Sequence, residues 1–171
     1  MTIENILLCP LGEGDGAEVL DIFNPYTTSG FAAYTDTPLP EDAALSFIQP
    51  SAGYPACMAR TLDGGYAVGF GMLRPYSPLP AFSRTAELTM FLRDGWTGRG
   101  IGTLVLLHLA GEAVPMGITT ILASISSLNP ASIRFHQKNG FRECGRLEGV
   151  GEKFGRPFDV VYCQKELPPI S

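Results

Sequence analysis

The alternation of apolar and polar positions divides the chain into short elements. Residues 3–11 form an apolar, strand-like run that Gly12 ends. Behind Asp15, a capping residue, Ala17, Val19, Leu20 and Phe23 recur at helical spacing, which predicts a helix. Residues 27–40, rich in Thr, Gly, Ala and Pro, read as a loop, and Pro40-Glu41-Asp42 opens a second short helix carrying Ala44, Leu45, Phe47 and Ile48. A meander follows: a strand over 55–60, the turn Leu62-Asp63-Gly64-Gly65, and a strand over 66–74. Pro75, Pro78 and Pro80 exclude a central strand over 75–82, whereas 83–92 returns to β-prone residues with Thr85, Leu88, Thr89 and Phe91.

The second half alternates differently. A helix is expected over 103–114, closed by Pro115 and Gly117, then a compact apolar strand over 118–125. Asn129 stands as an N-cap before Pro130, and Gly140 as the stop of that helix. Two last strands, 141–150 and 158–164, are joined by a turn region over 151–155. The order βαα-βββ-αβ-αββ predicts one α/β (or α+β) domain over residues 1–171 with a mixed sheet, not a doubly wound nucleotide fold.

Composition narrows the partners. With 171 residues, 45% hydrophobic and 17% charged, the chain has the make-up of an ordinary globular domain. A net charge of −5 argues against a nucleic-acid partner. No apolar run reaches membrane-spanning length and residues 1–11 lack a signal pattern, so the expected location is cytoplasmic, with no membrane partner. Cys9, Cys57, Cys144 and Cys163 form no CxxC pair and neither His has metal-ligand spacing, so reduced core thiols and no metal are expected.

The most informative stretch is Gly95-Trp96-Thr97-Gly98-Arg99-Gly100-Ile101-Gly102-Thr103, between a strand and a helix. Glycines at alternate positions let several amides approach one anion, helped by the positive end of the following helix; a pyrophosphate suits such a turn. A dinucleotide fingerprint fails here because the third glycine comes one residue early and the next strand offers no acid. A P-loop fails for want of Gly-Lys-Ser/Thr. A purely structural turn remains the alternative.

Thr97, Gly100 and Gly102 fall on a motif that resembles the Gln/Arg-x-x-Gly-x-Gly/Ala turn of the GNAT superfamily of N-acetyltransferases, with Thr97 a departure. The strand Ala86-Glu87-Leu88-Thr89-Met90-Phe91-Leu92 before it, and Asn129-Pro130-Ala131-Ser132 leading to His136-Gln137-Lys138-Asn139-Gly140-Phe141, agree in order and spacing. Asn24-Pro25-Tyr26 and Lys153-Phe154-Gly155-Arg156-Pro157-Phe158-Asp159-Val160 resemble segments of one subgroup, the phosphinothricin and methionine sulfoximine acetyltransferases. Ala33-Tyr34-Thr35-Asp36 departs from that subgroup: Thr35 replaces an Arg that is a candidate carboxylate binder, which leaves Arg74 and Arg84 as candidates to compensate.

The resemblance implies a mixed central sheet, mostly antiparallel, flanked by about four helices, with acetyl-CoA as cosubstrate. Met90, Phe91 and Leu92 would pair with the pantetheine arm, and the Leu92 amide would polarise the thioester carbonyl. Thr97, Gly98, Arg99, Gly100, Ile101, Gly102 and Thr103 would hold the pyrophosphate, with Asn129 and Ser132 bonding the arm. A protonated amine cannot attack a thioester, so a base is needed, and Glu87 is its candidate against the alternative of a structural carboxylate. His136 stands where the superfamily has Tyr; it would protonate the departing thiolate or share the base role, or else pack as a helix-face residue. His108 reads as a residue on the face of the helix after the turn. Tyr26, Tyr34, Arg74 and Tyr76 are acceptor-pocket candidates, with core packing the other reading of the tyrosines. The subgroup also implies a homodimer through the strand carrying Phe158, Val160, Val161 and Tyr162. A peptide N-terminal acetyltransferase and a non-catalytic acyl-CoA sensor are the competing functions.

Overall fold

A computed structural model describes residues 5–169. Seven strands, β1 (Ile6–Pro10), β2 (Ala56–Thr61), β3 (Ala67–Pro75), β4 (Thr85–Leu92), β5 (Thr120–Ser126), β6 (Arg142–Lys153) and β7 (Arg156–Glu166), form one sheet in the order β1-β2-β3-β4-β5-β7-β6. Every pairing is antiparallel except β4 with β5. The helices are α1 (Gly16–Phe23), α2 (Pro25–Thr28), α3 (Ala44–Ile48), α4 (Ile101–Ala113) and α5 (Pro130–Lys138).

The mixed, mostly antiparallel sheet is the one expected, and the differences are local. α2 is an extra turn of helix where a loop was expected to begin, and Pro25 at its first position supplies a helical φ without needing an N–H partner. α4 begins two residues earlier than expected, because Gly100 itself is the N-cap, at φ 84°. The hairpin between β6 and β7 turns on Phe154 and Gly155 alone, both at positive φ, as a tight two-residue turn requires. Gly151, expected in the turn, lies inside β6 opposite Phe158. Residues 3 and 4 of the first expected strand lie outside the described residues.

Two cores sandwich the sheet. On one face α4 buries Ile101, Val105, Leu106 and Leu109 against Leu73, Ala86, Leu88, Ile121 and Ala123. It lies close because β3 carries Gly71, where an added Cβ would stand 2.4 Å from a methyl of Val105. On the other face α1 packs Val19, Ile22 and Phe23 on Met58, Phe70 and Met72. The four cysteines are free; Cys57 and Cys163 are core thiols, but Cys144 is exposed on the edge strand β6, which corrects the expectation for that residue.

The parallel pair places the site. β4 and β5 are paired only at Thr85–Glu87 against Thr120–Leu122, while β4 continues along β3 to Leu92 and β5 along β7 to Ser126. Beyond Glu87 the two strands diverge and leave a wedge in the middle of the sheet.

Candidate active site

A cleft of about 1180 Å³ fills the wedge and continues over α4, α5 and the 29–39 loop. Its donor-side wall is mainly backbone. Thr85 O accepts from Tyr76 N on the β3 side, and Arg93 N donates there to Val68 O. Strand alternation therefore turns the N–H and C=O groups of Leu88, Met90 and Leu92 toward the wedge, where β5 no longer meets them. The Leu92 carbonyl is taken by the Tyr26 hydroxyl, so the Leu92 N–H is what the strand end still offers.

At the floor of that wall the turn enters α4. Gly98 and Gly100 have φ of 73° and 84°, a region that favours glycine, and no side chain caps the helix. The amides of residues 101–103 thus lack intrahelical acceptors at the positive end of a 13-residue helix. Gly102 has a different reason: its Cβ would press on the Phe135 ring at 3.0 Å, so its absence lets α5 close over the helix start. Thr97, Gly98, Gly100, Gly102 and Thr103 line the cleft. Arg99 and Ile101 do not: the Arg99 guanidinium stacks on Trp96, and the Ile101 side chain is in the core.

α5 closes the opposite side. The Asn129 side-chain oxygen accepts from Ser132 N at 3.3 Å, capping the helix and leaving the Asn129 amide NH₂ uncommitted among the described residues. His136 is 6% exposed, wedged between the Phe135 and Phe141 rings. Its Nδ1 donates to the Ser132 carbonyl at 2.8 Å, so the lone pair of the neutral ring sits on Nε2. Burial lowers the pKa of this imidazole, and the Ser132 bond opposes the shift only in part. His108 is on the outer face of α4, 3.5 Å from Glu112.

The acceptor-side wall is built from side chains. Glu87 lies at the apex of the wedge, and its Oε2 accepts from Arg74 Nε at 3.1 Å and Nη2 at 2.9 Å across the β3–β4 pair. Among the described residues no hydrogen bond reaches Glu87 Oε1 or Arg74 Nη1. Tyr34 stacks on Phe158 and shares a hydrogen bond of 2.9 Å with Ser124 on β5; burial raises its phenol pKa, with smaller help from Tyr162 and Glu87. Phe23, Leu39, Phe47 and Phe91 supply the apolar surface. Tyr76 stands apart, exposed and packed on Phe82, and does not line the cleft, and neither does Arg84.

Three residues explain sequence features that had no assigned role. Asn24 donates to Leu39 O and accepts from Leu39 N, pinning the far end of the loop. Asp159 accepts from Gly149 N and from Arg146, while its backbone bonds Ser127 and so steadies the approach to Asn129. Lys153 is 3% exposed and donates to Tyr26 O and Ala33 O. The sequence reading missed Ser124, and also Arg134 and Lys138, which line the outer cleft one helical turn apart. Only the last pair carries a local signal, its i,i+4 spacing.

An open strand edge beside an uncapped helix start fits a long donor with amide and phosphate groups. The profile of the acetyltransferase (GNAT) family matches residues 17–141. The chain belongs to that family. GNAT enzymes use acetyl-CoA, so this is an acetyl-CoA-dependent N-acetyltransferase. It is 31% identical over 160 residues, 92% of each chain, to an L-methionine sulfoximine/L-methionine sulfone acetyltransferase of Pseudomonas aeruginosa. Among solved GNAT structures, a phosphinothricin acetyltransferase from Sinorhizobium meliloti in complex with acetyl-CoA superposes with a TM-score of 0.87 at 27% identity, covering 95% of this chain and 89% of that one. A ribosomal-protein-alanine N-acetyltransferase from Brucella melitensis gives 0.86 at 31% identity, covering 94% and 99%.

Proposed function

We propose that this enzyme, a single catalytic domain over residues 1–171, acetylates the primary amine of a small amino-acid analogue. Its relatives' names point to methionine sulfoximine or phosphinothricin. The reading rests on one observation: Glu87 stands where β4 and β5 part, on the strand whose free edge is open to the donor. Acetyl-CoA, when bound, supplies an acyl thioester. Met90 would hold its arm by backbone, the Leu92 N–H would polarise the carbonyl, the Asn129 NH₂ would donate to the arm, and the amides of residues 101–103 would receive the pyrophosphate.

Glu87 Oε1 takes the proton that the incoming ammonium must lose, directly or through one water, while Oε2 stays on Arg74. Arg74 both fixes the base and turns its free Nη1 to an anionic group of the acceptor, the task that Thr35 cannot perform. A neutral His136 with its lone pair on Nε2 accepts a proton rather than delivering one, which favours a shared base role over protonation of the thiolate.

A homodimer in the cytoplasm completes the reading, with a modified surface. Phe158 and Val161 are buried within the chain, whereas on β6 Leu147 and Val150 are 48% and 60% exposed, so the outer face of the hairpin is the contact. Light scattering on the purified protein tests this; a monomer at micromolar concentration rejects it.

Acetyl-CoA-dependent thiol release across a panel of amines tests the activity. Methionine sulfoximine or phosphinothricin is expected to be the best acceptor. A preference for peptides beginning with alanine would move the substrate to the class named for the Brucella structure. Acetyl-CoA binding with no release on any amine would favour a sensor.

A further inference from the structure

Lys153 is a buried cation that the chemistry above does not use. It ends β6, and its Nζ donates to the carbonyls of Tyr26 (3.0 Å) and Ala33 (2.9 Å), 127 and 120 residues away in sequence. Its ammonium also lies 4.9 Å from the centre of the Phe154 ring. Among the described residues it forms no ion pair; burial lowers its pKa, and the charge of Asp36 only partly opposes this. A charge so placed must be compensated by what it holds.

What it holds is the wall of the acceptor site. Ala32, Ala33, Tyr34 and Thr35 line the cleft, and the Tyr26 hydroxyl caps the Leu92 carbonyl at the open end of β4. The two Lys153 bonds tie both ends of this segment to the hairpin tip. The tip is itself unusual: Phe154 has φ 54°, a value bulky residues rarely adopt, its ring meets Phe31 of the 26–35 segment at 6.0 Å, and the Arg156 guanidinium lies over the same Phe31 ring at 5.3 Å. Phe31 also packs on Phe158.

We propose that Lys153 is a positioning residue for the acceptor: through the Tyr26 and Ala33 carbonyls the β6–β7 hairpin clamps the 26–35 segment in the shape that receives the amine. This rests on the acetyltransferase reading for its kinetic consequence but not for its structural one. Removal of the donors should loosen one wall of the cleft and leave the other intact.

Two measurements on Lys153→Met, a substitution of similar length without donors, decide it. In hydrogen exchange, amides of residues 29–35 should exchange about tenfold faster or more, while those of 101–106 in α4 keep their rates. In steady-state assays the acceptor KM should rise about tenfold, with kcat changed less than about threefold and acetyl-CoA affinity within about twofold. Unchanged exchange in the loop overturns the clamp whether or not an acceptor is known, and so does an equal loss for acetyl-CoA and acceptor. If the wild-type protein is silent on every amine, the functional reading fails and the exchange arm alone decides the clamp. Should Lys153→Met not fold, Phe31→Ala, which strips the aromatic half of the same contact, must shift loop exchange and acceptor KM in the same direction; no shift overturns the proposal.

Discussion

The two walls of the cleft are made by different means. The donor side is backbone: an unpaired strand edge from Leu88 to Leu92, two glycines at positive φ, and an uncapped helix start. The acceptor side is side chains delivered by distant segments: Arg74 on β3, Glu87 on β4, Ser124 on β5, Tyr34 on a loop, and Lys153 beneath it. Backbone groups are the same in every sequence, so the donor wall needs only the right local conformation. The acceptor wall depends on which residue occupies each position, and that is where Thr35 and Asp36 depart from the subgroup's pattern.

If the walls are independent, substitutions should separate them. The largest effect is expected for Glu87→Gln, which keeps the shape and removes the proton acceptor. Its kcat should fall about 10²–10⁴-fold with acetyl-CoA affinity nearly unchanged, measured by turnover and by titration calorimetry. A parallel loss of affinity would take Glu87 out of the chemistry. Gly100→Val should do the reverse. A β-branched residue at φ 84° is strained, and its side chain crowds the amides meant for the pyrophosphate. Acetyl-CoA affinity should weaken about 10²-fold, and hydrogen exchange in the 29–35 loop should not move. Retained affinity would mean the turn is only structural.

This contrast also decides what could be read from the sequence. The glycine turn, the Asn129 cap and the order of strands are local, and each rests on residues within a few positions of one another, so pattern and spacing reveal them. Glu87 was found through resemblance, but its Arg74 partner faces it only because the β3–β4 register sets them opposite. Lys153 stood in a segment resembling the subgroup, but nothing local gave its role: its partners lie more than a hundred residues away, and a lysine before a Phe-Gly turn looks like a solvated one. The hairpin was drawn with too long a turn because Gly151 reads as a turn residue. In the structure it is a strand position where an added Cβ would stand 2.2 Å from the Phe158 ring.

A third substitution sharpens the comparison by moving one wall bodily. α4 carries the phosphate-facing amides, and it reaches its place by lying on Gly71. Gly71→Val would drive a methyl into Val105 and Leu109. A cost of about 1–3 kcal/mol in chemical denaturation is expected, together with weaker acetyl-CoA binding and an unchanged loop. A stability loss without a binding change would show that the turn does not depend on how α4 is seated.

His136 stands at the seam, and its test is the smallest. Its pKa in the folded protein is lowered by burial, whereas in the unfolded chain it titrates near 6.5. Below that pH the unfolded state binds more protons than the folded one, so this residue costs stability as the pH falls through about 6.5 and toward its folded pKa. Carboxylates lose stability in acid as well, but a variant without the imidazole shares that loss. His136→Phe, which keeps a ring between Phe135 and Phe141, should therefore lose less on going from pH 7 to pH 5. The difference should be about 2–4 °C in melting temperature. Parallel curves would mean that the imidazole takes up a proton as readily in the folded protein as in the unfolded chain, with Nε2 protonated below about pH 6.5. The role of acid toward the departing thiolate would then return to His136, and Glu87 would act as the base alone.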